Sequence, residues 1–561
     1  MLDLVIKNAR VLDGTGAAEQ LADVGVKDGR VTEIGRLSDA AAETVDADGL
    51  VLAPGIVDIH THYDAQVTWD QTLSPSPSLG VTTVVMGNCG FTVAPCPHQY
   101  NETVLKNLSV VEGMDLEALL AGVNWGFETF PEYLEFVRSR GIYANVAAFV
   151  GHSTIRTVVM GEDAWQRKEA TEDEMKAMED LIRQAMNGGA IGFASSFSPN
   201  HSGYDGIPMP STIATEGELA KLVGVLGEYN HGVFQCAYGL KLSLDWLEDL
   251  AAKTGATLSL SSVNSMFNDA NPTGAYDALD RCAQAIGRGH RMYHQVTAQP
   301  LSMDFTGTSA YPLHSHDAFA PYKAADAVTL KKTYADPEFR EGLRQNLAHP
   351  KAGVFFTGNW ERVSVAVPAL KKNEGLTNRS IAEIARERGA DPLDTLFDLW
   401  LEEDLKTVMV GKFLNVNEDG AAPLLKHDAG VIALSDAGAH LIFMCDAGLG
   451  LYVLGRWVRE RGDLALPEAV RRLTSHPADL YGLQGRGRIV PGGYADLMLF
   501  DPDKVGISPP KRVPDLPGGG MRAIREPLGM HGVWCNGRQV FDGKDYVEHR
   551  TGPGSVLDKF N

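Results

Sequence analysis

The stretch GIVDIHTHYD, residues 55–64, combines a short apolar run with two histidines that are two positions apart. An apolar run of this length is typical of a buried strand, and residues two apart on a strand point to the same side. We therefore expect His60 and His62 to stand at the end of one strand and to face the same way. An isolated pair of histidines more often only makes hydrogen bonds. Whether this pair binds a metal therefore depends on whether further ligating side chains occur at the ends of the neighbouring strands.

Seven further apolar runs of strand length follow, separated by helical patterns. They are GVTTVVMG (80–87), NVAAFVGH (145–152), AIGFASS (190–196), GVFQCAY (232–238), TLSLSSV (257–263), RMYHQVT (291–297) and VIALSDA (431–437). The helical stretch 171–189, for example, begins with Thr and acidic residues and ends with two glycines, which are helix start and stop signals. Eight buried strands with helical crossovers predict an α/β fold, a (β/α)8 TIM barrel with its active site at the carboxyl ends of the strands.

Both ends of the chain instead alternate apolar and polar residues, as half-buried strands do. Each end also carries a dipeptide typical of a tight hairpin turn, Asp28-Gly29 and Asn536-Gly537. Because neither end can bury one face alone, we predict that residues 1–53 and 485–545 join in one small β-sandwich domain, and that residues 54–484 form the barrel. The stretch of about 298–430 is too long for a single crossover, and we predict an inserted lid there.

Composition narrows the class of protein. Fifty basic and 72 acidic residues give the 561-residue chain a net charge of −22, which argues against nucleic acid or an anionic membrane as the main partner. The chain has no run of 18 apolar residues and no signal-peptide pattern, and its six cysteines lack the spacing of a disulfide framework. We expect a cytoplasmic homo-oligomer that acts on a small molecule.

Two further candidate metal ligands fall at predicted strand ends. Cys89 in GNCG follows the second strand, and Asp436 in ALSDAGAH ends the eighth, which neighbours the first strand in a closed barrel. Two imidazoles, a thiolate and a carboxylate are a sensible donor set for zinc. The sequence therefore predicts a zinc site made by these four side chains.

Five segments carry a resemblance to a known family. They are APGIVDIHTHYD (53–64), GVTTVVMGNCGFTVAPC (80–96), VGHSTIR (150–156), SDAGAH (435–440) and SHPADLYGLQGRGRIVPGGYADLMLFDP (475–502). The chain resembles the amidohydrolase superfamily, specifically its N-acyl-D-amino-acid deacylase (D-aminoacylase) branch. The resemblance implies a zinc-dependent amidohydrolase acting on carbon–nitrogen bonds other than peptide bonds. It also implies His60, His62, Cys89 and Asp436 as ligands, with the cysteine in the bridging place that a carboxylated lysine fills in related hydantoinases.

The sequence departs from that family at its second zinc subsite. Two histidines of the family are matched here by Ala237 and Ser262, and a lysine that helps to bind the substrate carboxylate is matched by Asn264. We therefore expect about one zinc ion per chain. Three other side chains remain open as replacement ligands for the second site, namely Cys236, His201 and His294.

The remaining candidate residues line the predicted mouth of the barrel. His152 ends the third strand, where it would either assist catalysis or be a structural histidine. The candidates for substrate binding are His201, Tyr204, Asn264, His294 and His440.

The predicted reaction is hydrolysis of the C–N bond of an N-acyl amino acid or a related amide. A metal-bound hydroxide would attack the carbonyl while Asp436 carries the proton. The alternatives are a cyclic amide or lactone hydrolase, a metal-dependent decarboxylase on the same barrel, or a non-catalytic binding protein. Because the family lysine is absent, we expect a substrate without a free α-carboxylate beside the scissile bond, unless Arg362 restores the lost charge.

Overall fold

The computed structural model describes most of the chain, namely residues 1–38, 40–198, 201–239, 241–261, 263–323, 325–351, 354, 356–441 and 445–560. Ser262, the counterpart of a family ligand in the sequence comparison above, lies outside the described residues.

The strands of the described residues are numbered in chain order. They are β1 (Leu2–Val11), β2 (Gln20–Lys27), β3 (Arg30–Gly35), β4 (Ala41–Asp46), β5 (Val51–Pro54), β6 (Ile56–Asp58), β7 (Val81–Met86), β8 (Asn145–Gly151), β9 (Gly192–Ser196), β10 (Val233–Ala237), β11 (Thr257–Ser261), β12 (Met292–Val296), β13 (Ser302–Phe305), β14 (Val363–Val367), β15 (Val408–Lys412), β16 (Gly430–Ile432), β17 (Leu497–Phe500), β18 (Gly506–Ile507), β19 (Lys511–Val513), β20 (Arg522–Ile524), β21 (Pro527–Leu528), β22 (Met530–Cys535) and β23 (Arg538–Phe541).

The α-helices are numbered in the same way. They are α1 (Asn101–Val111), α2 (Leu116–Gly122), α3 (Phe130–Arg140), α4 (His152–Met160), α5 (Asp163–Gln166), α6 (Glu172–Asn187), α7 (Pro210–Ile213), α8 (Glu216–Gly224), α9 (Leu244–Thr254), α10 (Gly274–Gly287), α11 (Ala327–Ala335), α12 (Pro337–Ala348), α13 (Ile381–Arg388), α14 (Pro392–Glu402), α15 (Glu418–Lys426), α16 (Leu449–Tyr452), α17 (Leu466–Leu473) and α18 (Ser475–Leu480). Each of them is too short or too polar to cross a lipid bilayer.

Eight parallel strands form one curled sheet in the order β16-β12-β11-β10-β9-β8-β7-β6. They are the eight predicted strands. Beyond the ends of β6 and β16, a parallel bridge joins Thr61 to Ala437, and the His62 backbone N–H donates to the Ala437 carbonyl at 2.8 Å. The first and eighth strands are thus neighbours, and the predicted (β/α)8 barrel is confirmed.

Helices between the strands begin and end where the sequence signals them. Helix α6 starts after Thr171, whose hydroxyl accepts from the Glu174 backbone while the Glu174 carboxylate accepts from Thr171, a capping box. Helix α8 starts after Thr215, which accepts from the Glu218 backbone in the same way. These caps fix where each crossover turns back toward the sheet.

A second sheet joins strands from both ends of the chain in the order β23-β22-β17-β5-β1-β2-β3, with β4 paired to β1. Both predicted hairpin dipeptides have the two consecutive positive φ angles that such turns require, 51° and 74° at Asp28-Gly29 and 48° and 77° at Asn536-Gly537. The sheet buries one apolar cluster to which both ends contribute, including Ile6, Val24, Leu497 and Trp534.

The chain divides into two compact units. One consists of Met1–Met266, Thr273–Gln299 and Ala421–Asn561, and the other of Phe267–Pro272 and Pro300–Gly420. The second unit contains the three-stranded sheet β13-β15-β14 and an aromatic core in which the Tyr334 and Phe397 rings stack at 4.7 Å. Our boundaries for the small domain, the barrel and the inserted lid stay a prediction.

A buried ion pair inside the first unit gives a test of stability. Asp496 and Arg486 form a salt bridge with each side chain 3% exposed, and the Asp496 carboxylate also accepts from the Asn536 backbone at 2.8 Å. We expect Asp496→Ala to lower the free energy of unfolding by about 3–5 kcal/mol, because it leaves the arginine buried without its partner. Equilibrium urea unfolding measures this, with the exposed Asp503→Ala as control. Equal effects of the two substitutions would contradict the expectation.

Candidate metal centre

His60 and His62 follow directly on the short first barrel strand, β6, and are 1% and 3% exposed. The last residue of that strand, Asp58, accepts from the Ser435 hydroxyl at 2.5 Å and from the His60 backbone at 3.3 Å. Because Ser435 precedes Asp436, this contact ties the end of the first strand to the loop that follows the eighth. The two histidines are therefore held against the predicted fourth ligand.

Cys89 stands on a strained turn after β7. Its φ is 57°, a left-handed value that is uncommon for a residue with a side chain, and the flanking Gly90 has a φ of 80°. A Cβ added at Gly90 would lie 2.7 Å from the Ala194 carbonyl oxygen, so only glycine fits there. The Cys89 backbone N–H donates to the Gln235 side chain at 2.6 Å. The turn places the Cys89 sulfur 3.6 Å from His60 Nε2.

Asp436 completes the set from the loop after β16. Its Oδ1 lies 3.3 Å from His60 Nε2 and 3.6 Å from His62 Nε2, and its φ of 47° is again left-handed. Among the described residues, His60, His62 and Cys89 have ligand atoms that all lie within 4.8 Å of one another. The structure thus brings together the four side chains predicted as ligands.

Three of the six separations among the four predicted donor atoms have the length expected around a zinc ion. Zinc bonds of about 2.0–2.3 Å place the donor atoms of a tetrahedron about 3.3–3.7 Å apart. Three measured donor separations, between His60 Nε2 and Cys89 Sγ and between each imidazole Nε2 and Asp436 Oδ1, are 3.3–3.6 Å. These residues therefore fit the ion that the donor chemistry suggests.

Both imidazoles present Nε2 to this cluster, and a side-chain oxygen lies beside each Nδ1. His60 Nδ1 lies 2.5 Å from the side-chain oxygen of Gln295, and His62 Nδ1 lies 3.3 Å from Glu112 Oε1. Neither partner was found by sequence reasoning. Gln295 lies on β12 and Glu112 directly follows α1, and each is 3% exposed or less. A polar glutamine within the apolar seventh strand was only a weak indication that Gln295 belongs to the site. The sequence around Glu112 gave no such indication.

The electrostatics of the cluster favour a bound cation. Burial raises the pKa of Cys89 well above its ordinary value, and the carboxylates of Glu112 and Asp436 raise it further. Burial also raises the pKa of Glu112, to about 7, although His62 opposes this. Burial would lower the pKa of His62, but Glu112 and Asp436 outweigh it and raise that pKa to about 9. A divalent ion would supply the positive charge that a thiolate and two carboxylates need at this depth.

Two of the candidate substrate-binding residues lie near the cluster. Burial, together with the imidazoles of His440 and His62, lowers the pKa of His201 to about 3. His201 Nδ1 is 2.6 Å from the Ser196 hydroxyl. His440 Nε2 lies 4.0 Å from Glu112 Oε2.

Three others contact neighbours on the wall of the barrel. His294 Nε2 lies 3.1 Å from the Tyr238 hydroxyl, and Asn264 Nδ2 lies 3.5 Å from the same hydroxyl. The Tyr204 backbone donates to the Asn107 side chain at 3.2 Å. A role in substrate binding stays a prediction for all five residues.

His152 lies in a buried network at the start of a helix. It is the first residue of α4, and its Nδ1 lies 2.8 Å from the Ser195 hydroxyl while its Nε2 lies 2.9 Å from Glu218 Oε1. Glu218 also pairs with the fully buried Arg156 at 2.5 Å. Because both ring nitrogens are engaged in this buried network, the placement favours the structural role of His152 over the catalytic one.

Comparison with known proteins gives one consistent result. A model described as the amidohydrolase family matches residues 43–541. The chain is 27% identical over 574 residues to the D-aminoacylase of Alcaligenes xylosoxydans xylosoxydans, which covers 98% of this chain and 96% of the relative. It is 27% identical over 524 residues to the N-acyl-D-glutamate deacylase of that organism, with 90% and 88% covered. A solved structure of D-aminoacylase, concerned with the role of its binuclear metal centre, is 25% identical, covers 100% of both chains and has a TM-score of 0.67.

Proposed function

Because this chain belongs to the amidohydrolase family, as the match over residues 43–541 shows, we propose that it hydrolyses the C–N bond of a small-molecule amide at the cluster of His60, His62, Cys89 and Asp436. The observation that carries the proposal is the convergence of the four side chains, because His60 Nε2 lies 3.6 Å from Cys89 Sγ and 3.3 Å from Asp436 Oδ1, and the same Asp436 oxygen lies 3.6 Å from His62 Nε2. The relatives' names supply the bond type, since they are a D-aminoacylase and an N-acyl-D-glutamate deacylase.

A zinc ion held by these residues would polarise the amide carbonyl and lower the pKa of an attacking water. The chain itself supplies the proton transfer. The imidazoles of His62, His60 and His440 outweigh burial and hold the pKa of Asp436 well below its usual range, so the carboxylate is ionised before reaction. Asp436 then accepts the proton of the water during attack and returns it to the leaving nitrogen.

We further propose one ion per chain, because the interior beside the cluster is filled by side chains bonded to one another. The Gln295 side-chain oxygen accepts from His60 Nδ1 on one side, and its amide nitrogen donates to the Ser259 hydroxyl at 2.9 Å on the other. Gln235 accepts from the Cys89 backbone and donates to the Ser261 hydroxyl at 2.9 Å. These amide and hydroxyl groups fasten the first site and offer no strong zinc ligand for a second.

Product analysis on a panel of amides and lactones tests the activity. The expected result is release of an acid and an amine in equal amounts, with activity that depends on zinc. Loss of carbon dioxide without release of an amine would replace the proposal by a decarboxylase, and lactone hydrolysis without amide hydrolysis would replace it by a lactonase.

Substrate preference gives a second test. The largest electrostatic effects from neighbouring groups on the pKa values of Asp436, His62 and His440 come from imidazoles and carboxylates. Arg362, the one cation considered as a replacement for the family lysine, pairs with Asp269 at 2.5 Å. We propose that a substrate without a free α-carboxylate is preferred, because a lost charge-assisted hydrogen bond is worth roughly 1.5–3 kcal/mol, or about 10- to 150-fold in affinity.

The measurement compares kcat/KM for an N-acetyl-D-amino acid with that for its neutral amide. We expect the neutral compound to be better by at least about tenfold. The matched control is Asn264→Lys, which restores the residue type of the family and should shift the preference toward the acid. A wild-type preference for the acid would contradict the proposal.

A further inference from the structure

Glu112 stands beside His62, with its Oε1 3.3 Å from His62 Nδ1. We infer that it is a positioning residue, one that fixes the tautomer and direction of the His62 imidazole for metal binding. The inference rests on the proposed function, since it concerns how this chain prepares the same site.

The geometry places Glu112 between two elements of the site. Its Oε1 lies 3.3 Å from His62 Nδ1, and its Oε2 lies 4.0 Å from His440 Nε2. Its backbone carbonyl also accepts from the His440 backbone N–H. The Glu112 and His62 side chains are 3% and 4% exposed. One buried glutamate therefore spans the loop after the first strand and the loop after the eighth.

The two ring nitrogens of His62 face different neighbours. The Glu112 carboxyl group lies beside Nδ1 at 3.3 Å, within ion-pair distance, so Nε2 is the nitrogen on the side where Asp436 Oδ1 lies, 3.6 Å away. A carboxylate behind a ligating histidine also makes the imidazole a stronger donor.

His60 has a neutral neighbour at the corresponding nitrogen, because the side-chain oxygen of Gln295 lies 2.5 Å from its Nδ1. His62 thus has a carboxyl group beside its Nδ1 and His60 has a neutral amide, although each imidazole faces the cluster through Nε2.

Zinc affinity measured by competition with a chelator tests the inference in the full-length protein. We expect Glu112→Ala to weaken zinc binding by about 10- to 100-fold. Glu112→Gln keeps an acceptor oxygen and should lose less, so it serves as the conservative rescue. The control is Glu117→Gln, an exposed position near the start of α2, which should bind zinc as the wild type does.

The melting temperature of the zinc-free proteins separates positioning from structural support. We expect zinc-free Glu112→Gln to melt within a few degrees of the zinc-free wild type, with the loss confined to zinc affinity. Zinc affinity within twofold of the wild type in both Glu112 variants would overturn the inference. The inference would also be overturned if the zinc-free Glu112→Gln variant were destabilised enough to explain its weaker zinc binding. If Glu112→Ala does not fold, the Gln variant alone decides by the same two measurements. A wild type that binds no zinc would instead overturn the proposed function.

Discussion

Replacing Asp436 by Asn is expected to lower turnover by on the order of 10²–10⁴-fold. The amide keeps an oxygen near the imidazole Nε2 atoms of His60 and His62, which lie 3.3 and 3.6 Å from the native Oδ1. It cannot accept the proton of the attacking water, so the chemical step loses its base. Steady-state kinetics with a saturating amide, together with zinc analysis of the same sample, measure the two consequences separately.

The control for that substitution is Asp249→Asn, an exposed aspartate on α9. It should leave kcat unchanged. An Asp436→Asn enzyme that holds zinc and retains nearly full activity would show that another group carries the proton.

Removing the metal is expected to lower activity by about 10³-fold or more, because a bound ion contributes several kcal/mol of transition-state stabilisation. Dialysis against a strong chelator prepares the zinc-free enzyme, and added zinc should restore it. Because Gln235 and Gln295 bond to the first site, we expect recovery to be complete at one equivalent per chain.

The titration of the zinc-free enzyme with zinc distinguishes one metal site from two. A break at two equivalents, or two tightly held ions by elemental analysis, would show that Cys236, His201 or His294 serves as a ligand of a second site. Activity that survives chelation without bound metal would contradict the metal dependence.

The sequence was sufficient to predict those site residues whose positions follow from the regular geometry of the strands. The spacing of His60 and His62, and the position of Asp436 at the last strand end, follow from side chains that alternate along a strand and from strands that end at one edge. The structure places all three in one cluster, with Asp436 3.3 Å from His60.

The sequence did not predict the residues that reach the site only through tertiary packing. Glu112 comes from the long connection after β7, and Gln295 meets His60 across 235 positions of sequence. The two roles left open for His152 differ for a local reason, and its surroundings favour the structural one. A helix begins at that residue, and its ring bonds to Ser195 and Glu218. A position at the end of a strand therefore identifies a candidate site residue. The conformation of the first turn of the helix that follows decides where its side chain points.

The sheet shared by the two ends of the chain has a consequence during synthesis. Strand β5 pairs with β17 through Pro54 and Leu497, so the partner is made 443 residues later (497 − 54). At translation rates of about 5–20 residues per second, that edge stays without its neighbour for roughly 20–90 s. An open strand edge is a template for pairing with other chains. The amino-terminal strands are therefore open to pairing with other chains while the ribosome makes the barrel, and a lower expression level, with fewer nascent chains present at one time, should raise the yield of folded enzyme.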